Sequence, residues 1–292
     1  MIHEMETLPS TRAANVILPL SHRLSAVQPR DHRRARRWVL GLVVVAAILV
    51  GMARYVGYIG GSVFTVVPAT RPASPRLDRL AAVFLSGDVG FRVGMGPQIA
   101  KRLADQGIPV VGVNSLTFYR SRRTPLENEA LIQDATRRAL ALPGVDRVVL
   151  IGQSFGADML QAGLPAFPQI LRRKVVAVAL IVPGDTINYR ASPNGFLSSG
   201  RGDSPAEPTA RLLRWVPTIC IKGQIEDGSL CPLLRQSNVT HVALPGGHML
   251  HYDSTMVSDV LLKAISTAAA APSNVAAFRL APATGYLQEQ RN

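Results

Sequence analysis

Apolar positions fall into two regimes along the 292-residue chain. Near the N-terminus they form one long block. Residues 38–52 carry no charge, and after Arg54 the chain stays apolar over residues 55–67. Beyond residue 79 they come instead as short β-branched runs separated by stretches with helical spacing. Residues 80–85, 109–113, 148–151, 175–182, 217–222 and 240–244 read as strands. Such continuous apolar runs belong to strands covered on both faces, as in a parallel sheet. Residues 97–106, 124–141, 155–164 and 253–268 read as helices. Pro97 suits a first turn and Gly107 follows a helix end, while Thr124, Pro125 and Glu127 supply a capping signal. Strands alternating with helices predict an α/β domain with a doubly wound, mostly parallel sheet. Ligands of such sheets bind beyond the carboxyl ends of the strands.

The N-terminal block needs about 20 apolar residues to span a bilayer. Residues 38–59 meet this if Arg54 snorkels to the far interface. The arginines among residues 30–37 predict a cytoplasmic N-terminus. A cleaved signal peptide is the rival reading. It is disfavoured by the long leader and by the want of a small-x-small cleavage site. The chain therefore divides into a basic segment (1–37), a transmembrane helix (38–59), a Pro-rich linker (60–78), a folded domain (79–268) and a disordered tail (269–292). Within the domain periodicity stops over residues 185–210, which read as a cap loop above the sheet.

Charge sharpens this picture. Lys and Arg outnumber Asp and Glu by 32 to 19, which argues for an acidic partner. Aromatic residues are 5% of the chain and no aromatic-interleaved basic module is visible. That favours an anionic phospholipid surface over nucleic acid. No CxxC or Cys/His cluster is present, which argues against a zinc site, and no motif asks for a cofactor.

The chemistry centres on Gly152-Gln153-Ser154-Phe155-Gly156, which joins an apolar strand to a helix. A G-x-S-x-G turn in that setting is the nucleophile elbow of α/β-hydrolases. A serine N-cap in an ordinary strand-to-helix connection is the alternative. An activated serine needs a base and an orienting acid, here in the order Ser, acid, His. His248 lies in a glycine-flanked loop between the last strand and the last helix and is the preferred base. His251 is the fallback, and His241 starts a strand. The acid belongs after strand 217–222, where Glu226 and Asp227 compete; Glu226 has the commoner spacing and Asp185 is an outside candidate. Asp158 complements its helix N-terminus or ties down a neighbouring loop. Backbone N–H groups of Phe155 and of the Asp88–Val89 loop would hold an oxyanion. Export to an oxidising compartment predicts a disulfide between Cys220 and Cys231 that closes the acid loop.

Five spaced stretches together resemble the bacterial VirJ/AcvB virulence family. They are Ser86-Gly87-Asp88-x-Gly90-Phe91, residues 110–116, residues 121–125, residues 152–158 and Leu244-Pro245-Gly246-Gly247-His248. The resemblance spans roughly residues 80–268, with departures at Val89, Phe91, Asn114 and Met249. It implies an α/β-hydrolase-like protein that is exported or anchored in the inner membrane, and with the apolar block this predicts a single-pass inner-membrane protein whose domain lies in the periplasm. It also implies a Ser154 nucleophile, a His248 base and hydrolysis of the aminoacyl ester of lysyl-phosphatidylglycerol. The alternative is a non-catalytic partner of envelope or secretion-system proteins.

Overall fold

The computed structural model describes residues 32–191 and 202–270. The basic leader up to residue 31, the middle of the expected cap loop and the expected tail beyond residue 270 lie outside the described residues. The chain falls into two units, Met1–Ala46 and Ala47–Asn292. Helix α1 is His32–Val56, and its Arg36–Val56 portion is long and apolar enough to cross a membrane.

The second unit is built on one sheet. In chain order its elements are β1 (Phe64–Val67), β2 (Leu80–Leu85), α2 (Met95–Ala104), β3 (Val110–Val113), α3 (Ser115–Tyr119), α4 (Pro125–Leu140), β4 (Arg147–Gln153), α5 (Phe155–Gly163), α6 (Gln169–Arg172) and β5 (Val175–Ile181). There follow β6 (Thr186–Ile187), β7 (Ser204–Pro205), α7 (Glu207–Ala210), β8 (Thr218–Gly223), β9 (Val239–Leu244) and α8 (Ser254–Ala270). Seven strands pair in the order β1-β3-β2-β4-β5-β8-β9. All neighbours are parallel except β1, which runs against β3. Successive side chains of a strand point to opposite faces, and β2 divides accordingly. Ala81, Val83 and Leu85 join α4 and α5 in one core, while Leu80, Ala82 and Phe84 join α2 and α8 in the other. Burying a side chain such as Phe84 stabilises the fold by roughly 1.5–3 kcal/mol.

Local signals place the helix ends. Thr124 and Glu127 form a reciprocal capping box, with the Thr124 N–H donating to Glu127 Oε2 at 2.8 Å and the Glu127 N–H to Thr124 Oγ1 at 3.2 Å. α2 begins at Met95, two residues before Pro97, because the proline ring is tolerated throughout a first turn. Other elements differ from expectation. Phe64–Val67 is an edge strand inside the stretch read as a linker, paired from Phe64–Val113 to Val67–Val110. Four half-exposed residues that run on from the membrane block carry no alternation to mark them. The Pro-rich segment after it is also docked: the Thr70 N–H donates to the Ala104 carbonyl at 3.1 Å. The described parts of the cap loop contribute a two-stranded β6–β7 sheet and the short α7.

Candidate active site

β4 ends at Gln153 and α5 starts at Phe155, so Ser154 alone turns the corner. It does so at φ 51°, ψ −125°, a conformation that L-residues rarely adopt. Its N–H donates to the Ile181 carbonyl at 2.8 Å, carrying the β4–β5 ladder one residue past the strand. The turn closes only because its flanks lack side chains. A Cβ on Gly152 would stand 2.5 Å from the Gly156 carbonyl oxygen, and one on Gly156 would stand 2.3 Å from that of Leu85.

Two loops from the far side of the sheet reach this serine. Ser154 Oγ lies 2.8 Å from His248 Nε2. His248 Nδ1 lies 2.6 Å from Glu226 Oε1. The carboxylate accepts at Nδ1, so the proton belongs there and Nε2 is left as the acceptor for the serine hydroxyl. Glu226 is held from behind by the Gly223 N–H, which donates to its other oxygen at 2.9 Å, and its side chain is 3% exposed. Of the competing acids, Asp227 is exposed. The Asp185 N–H donates to the Gly228 carbonyl at 2.8 Å, and its carboxylate faces Gly228 rather than the histidine. His241 pairs opposite Cys220 in β9, at the exposed edge of the sheet. His251 packs its ring against Gly246.

The loop that carries His248 holds a feature with no sequence signal. Leu250, His251 and Tyr252 take φ values of 46°, 51° and 57°, one turn of left-handed helix. Each such residue costs roughly 1–2 kcal/mol. Complete burial of the Leu250 side chain offsets part of that. On the acid side, a disulfide joins Cys220 at the core of β8 to Cys231, with a Cα–Cα distance of 5.5 Å. The segment it closes contains Glu226.

Carboxylates crowd the site. Asp158, one turn along α5 from the serine, accepts a 2.8 Å hydrogen bond from the Gly184 N–H, so it ties down the loop after β5. Burial holds its carboxyl well above the ordinary range. The Gly184 N–H opposes this, while Asp185, Asp88 and Glu226 add to it. Asp88 is also raised by burial, against the pull of its own N–H, of His248 and of the Val89 N–H. The partly buried Asp88 carboxylate thus lies in the loop expected to serve an oxyanion. The third expected donor, Phe155, opens α5, and its ring packs edge-on against Tyr119 with centroids 5.1 Å apart. Among the described residues no group of three or more His, Cys, Asp or Glu is placed to hold a metal ion.

Comparison with known proteins bears on the family and the fold. A family profile described as "Bacterial virulence protein (VirJ)" matches residues 78–269. No curated relative matches the chain. Among solved structures, the α/β hydrolase GrgF from Penicillium sp. sh18 is similar at 14% identity, covering 71% of this chain and 98% of its own, with a TM-score of 0.51. A proline iminopeptidase from Mycobacterium smegmatis is similar at 14% identity, covering 70% and 95%, with a TM-score of 0.50. At such identities the likeness speaks for the fold, which is that of the α/β-hydrolases.

Proposed function

The chain belongs to the VirJ family of bacterial virulence proteins, and from that premise we propose that it is a membrane-anchored serine esterase acting on aminoacylated phosphatidylglycerol. The observation that carries the reading is the unbroken line from Ser154 Oγ through His248 to Glu226, at 2.8 and 2.6 Å. His248 takes the serine proton as Ser154 attacks the aminoacyl carbonyl. The tetrahedral intermediate collapses, the glycerol oxygen of the lipid leaves with the proton from His248, and an aminoacyl-serine remains. Water then attacks that ester with His248 as base. The proton returns to Ser154 Oγ, and the free amino acid departs. Glu226 fixes the imidazole and stabilises its charged form.

Substrate class rests on charge and place. Asp88 and Asp185 lie close enough to Asp158, one turn along α5 from the serine, to raise its carboxyl, and an aminoacyl group such as lysyl would bring two ammonium groups to such a site. The apolar helix would hold the domain at the periplasmic face of the bilayer. A second reading is a binding protein of an envelope or secretion assembly, favoured by the partly buried Asp88 in the very loop expected to hold an oxyanion. Turnover separates the two. Full-length protein in vesicles containing lysyl-phosphatidylglycerol should release lysine, and Ser154→Ala should lower the rate by about 10⁴–10⁶-fold with an unchanged melting temperature. Hydrolysis of a soluble ester without lysine release would overturn the substrate alone. No turnover of either ester would leave the binding protein.

A further inference from the structure

We propose that the mouth of the candidate site is itself a membrane-contact surface, brought to the bilayer headgroups by the end of α1, which is docked beside it. This rests on reading α1 as the membrane anchor.

Within the second unit, the chain enters the sheet at the same edge as Ser154. β1 runs antiparallel to β3, with Phe64 opposite Val113, so residues 57–63 sit at the carboxyl ends of the parallel strands. There the helix end is built into the loops beside the site. Asn114 Nδ2 donates to the Val56 carbonyl at 3.0 Å, and Thr117 Oγ1 donates to that of Gly57 at 2.9 Å. Arg120 donates to the Tyr58 carbonyl at 3.3 Å. Gly57 turns with φ 89°, and a side chain on it would stand 2.4 Å from Thr117 Oγ1. A side chain on Gly90 would stand 2.8 Å from the Val56 carbonyl oxygen. Gly90 closes the Asp88–Val89 loop, whose first residue, Gly87, abuts the Ser154 side chain. The helix end and the nucleophile are therefore separated by a single packed loop.

What surrounds the mouth suits a bilayer. Val89 after β2, Ile225 after β8, and Met249 and Tyr252 after β9 are all exposed, Ile225 at 79% and Tyr252 at 60%. Isolated exposed apolar side chains are ordinary. These four stand on three loops of one edge, around one serine, next to the exit of an apolar helix. Ile225 lies against Gly247, the neighbour of His248. Exposed Arg92, 5.9 Å over the Tyr55 ring, and exposed Arg120 supply cations at the same level. Tyr55 and Tyr58 add the aromatic character of a membrane interface. An ester at headgroup depth would then meet Ser154 without leaving the leaflet.

The test uses the full chain in vesicles of phosphatidylglycerol and phosphatidylethanolamine. An environment-sensitive fluorophore is placed at Ile225→Cys or, as a control, at Ile170→Cys, an equally exposed isoleucine on α6 at the other edge of the sheet. Lipids spin-labelled at the headgroup should quench the first several-fold more than the second. Equal quenching overturns the proposal. Ile225→Asp with Tyr252→Asp should lower turnover of the lipid-borne ester about tenfold and leave a soluble short-chain ester within twofold. An equal fall for both esters, or for neither, also overturns it. Selective quenching without any ester turnover would sustain the surface while removing the esterase reading. Protein that fails to float with the vesicles would remove the anchor and this proposal together.

Discussion

The two edges of the central sheet have opposite characters. At the carboxyl edge the backbone is strained at Ser154 and over Leu250–Tyr252, carboxylates are buried, and apolar side chains face outward. At the amino edge Arg211, Arg214 and Arg235 line an open hollow of about 430 Å³ before β8 and β9. Parallel winding accounts for the split. Every helix that follows a strand aims its N-terminus at the carboxyl edge and its C-terminus at the amino edge, so the macrodipoles favour acids above and bases below. The chain complies: Asp158 and Glu127 stand in first turns, and Arg102, Arg137, Arg138 and Arg172 in last turns. Dipoles explain where charges are tolerated. They do not explain strain, which among the described residues touches the lower edge only at Arg79 before β2 and gathers at the upper edge at Ser154, Val182 and Leu250–Tyr252.

The contrast is put to its hardest trial at the acid. Glu226→Gln should keep the Gly223 contact yet lower turnover by about 10²–10⁴-fold, through loss of the charge that orients His248. Asp227→Asn, one residue on but exposed, should stay within twofold of wild type. Comparable losses in both variants would show that the loop matters rather than the 2.6 Å contact.

Removing the disulfide should come next. Cys220→Ala with Cys231→Ala frees an 11-residue separation and should lower unfolding free energy by about 3 kcal/mol in urea titration. Turnover should fall as the Glu226 loop loosens. An unchanged denaturation midpoint would mean that packing alone holds the loop.

A smaller effect concerns Asp158. Its carboxyl titrates above the ordinary 3.8, so between those values the folded protein keeps a proton that the unfolded chain has released. Stability therefore falls as pH rises through that window. Asp158→Asn abolishes the ionisation and retains an acceptor for the Gly184 N–H. The melting temperature of wild type should drop relative to the variant as pH is raised from about 4. Parallel curves would place Asp158 in a more solvated setting than its surroundings indicate.

The smallest effect is expected below. Arg214→Ala with Arg235→Ala should leave turnover of a soluble ester within twofold, since neither residue reaches the carboxyl edge. A tenfold loss would dissolve the contrast between the two edges.

Much of the upper edge is legible in the amino-acid sequence. The strand runs 80–85 and 148–151 are dense enough in apolar residues to declare burial on both faces. The elbow is legible because its geometry is local: Gly152, Ser154 and Gly156 must be neighbours in sequence to make the turn. The choice between Glu226 and Asp227 is not decidable along the chain, because adjacent carboxylates differ only in which way the loop turns them. The left-handed turn at Leu250–Tyr252 leaves almost no trace, since of the three only His251 belongs to a residue type enriched at such angles. The edge strand Phe64–Val67 is hidden by the apolar block before it.

The alternation of strands and helices, the nucleophile turn, the capping of α4 and the apolar N-terminal helix are thus properties of the sequence. All of these follow from residues within one turn or one strand of each other, where steric and hydrogen-bonding preferences act directly. Two other features exist only once the chain has folded: Glu226 meets His248, and Asn114 and Thr117 hold the end of α1 beside the serine. The contacts of the acid and the nucleophile join segments 22 and 94 residues apart, and that of the anchor joins Thr117 to Gly57, 60 apart. The long closures come from sheet order, which brings β2, β4, β8 and β9 to one edge. Loop packing then selects among the chemically equivalent groups that arrive there.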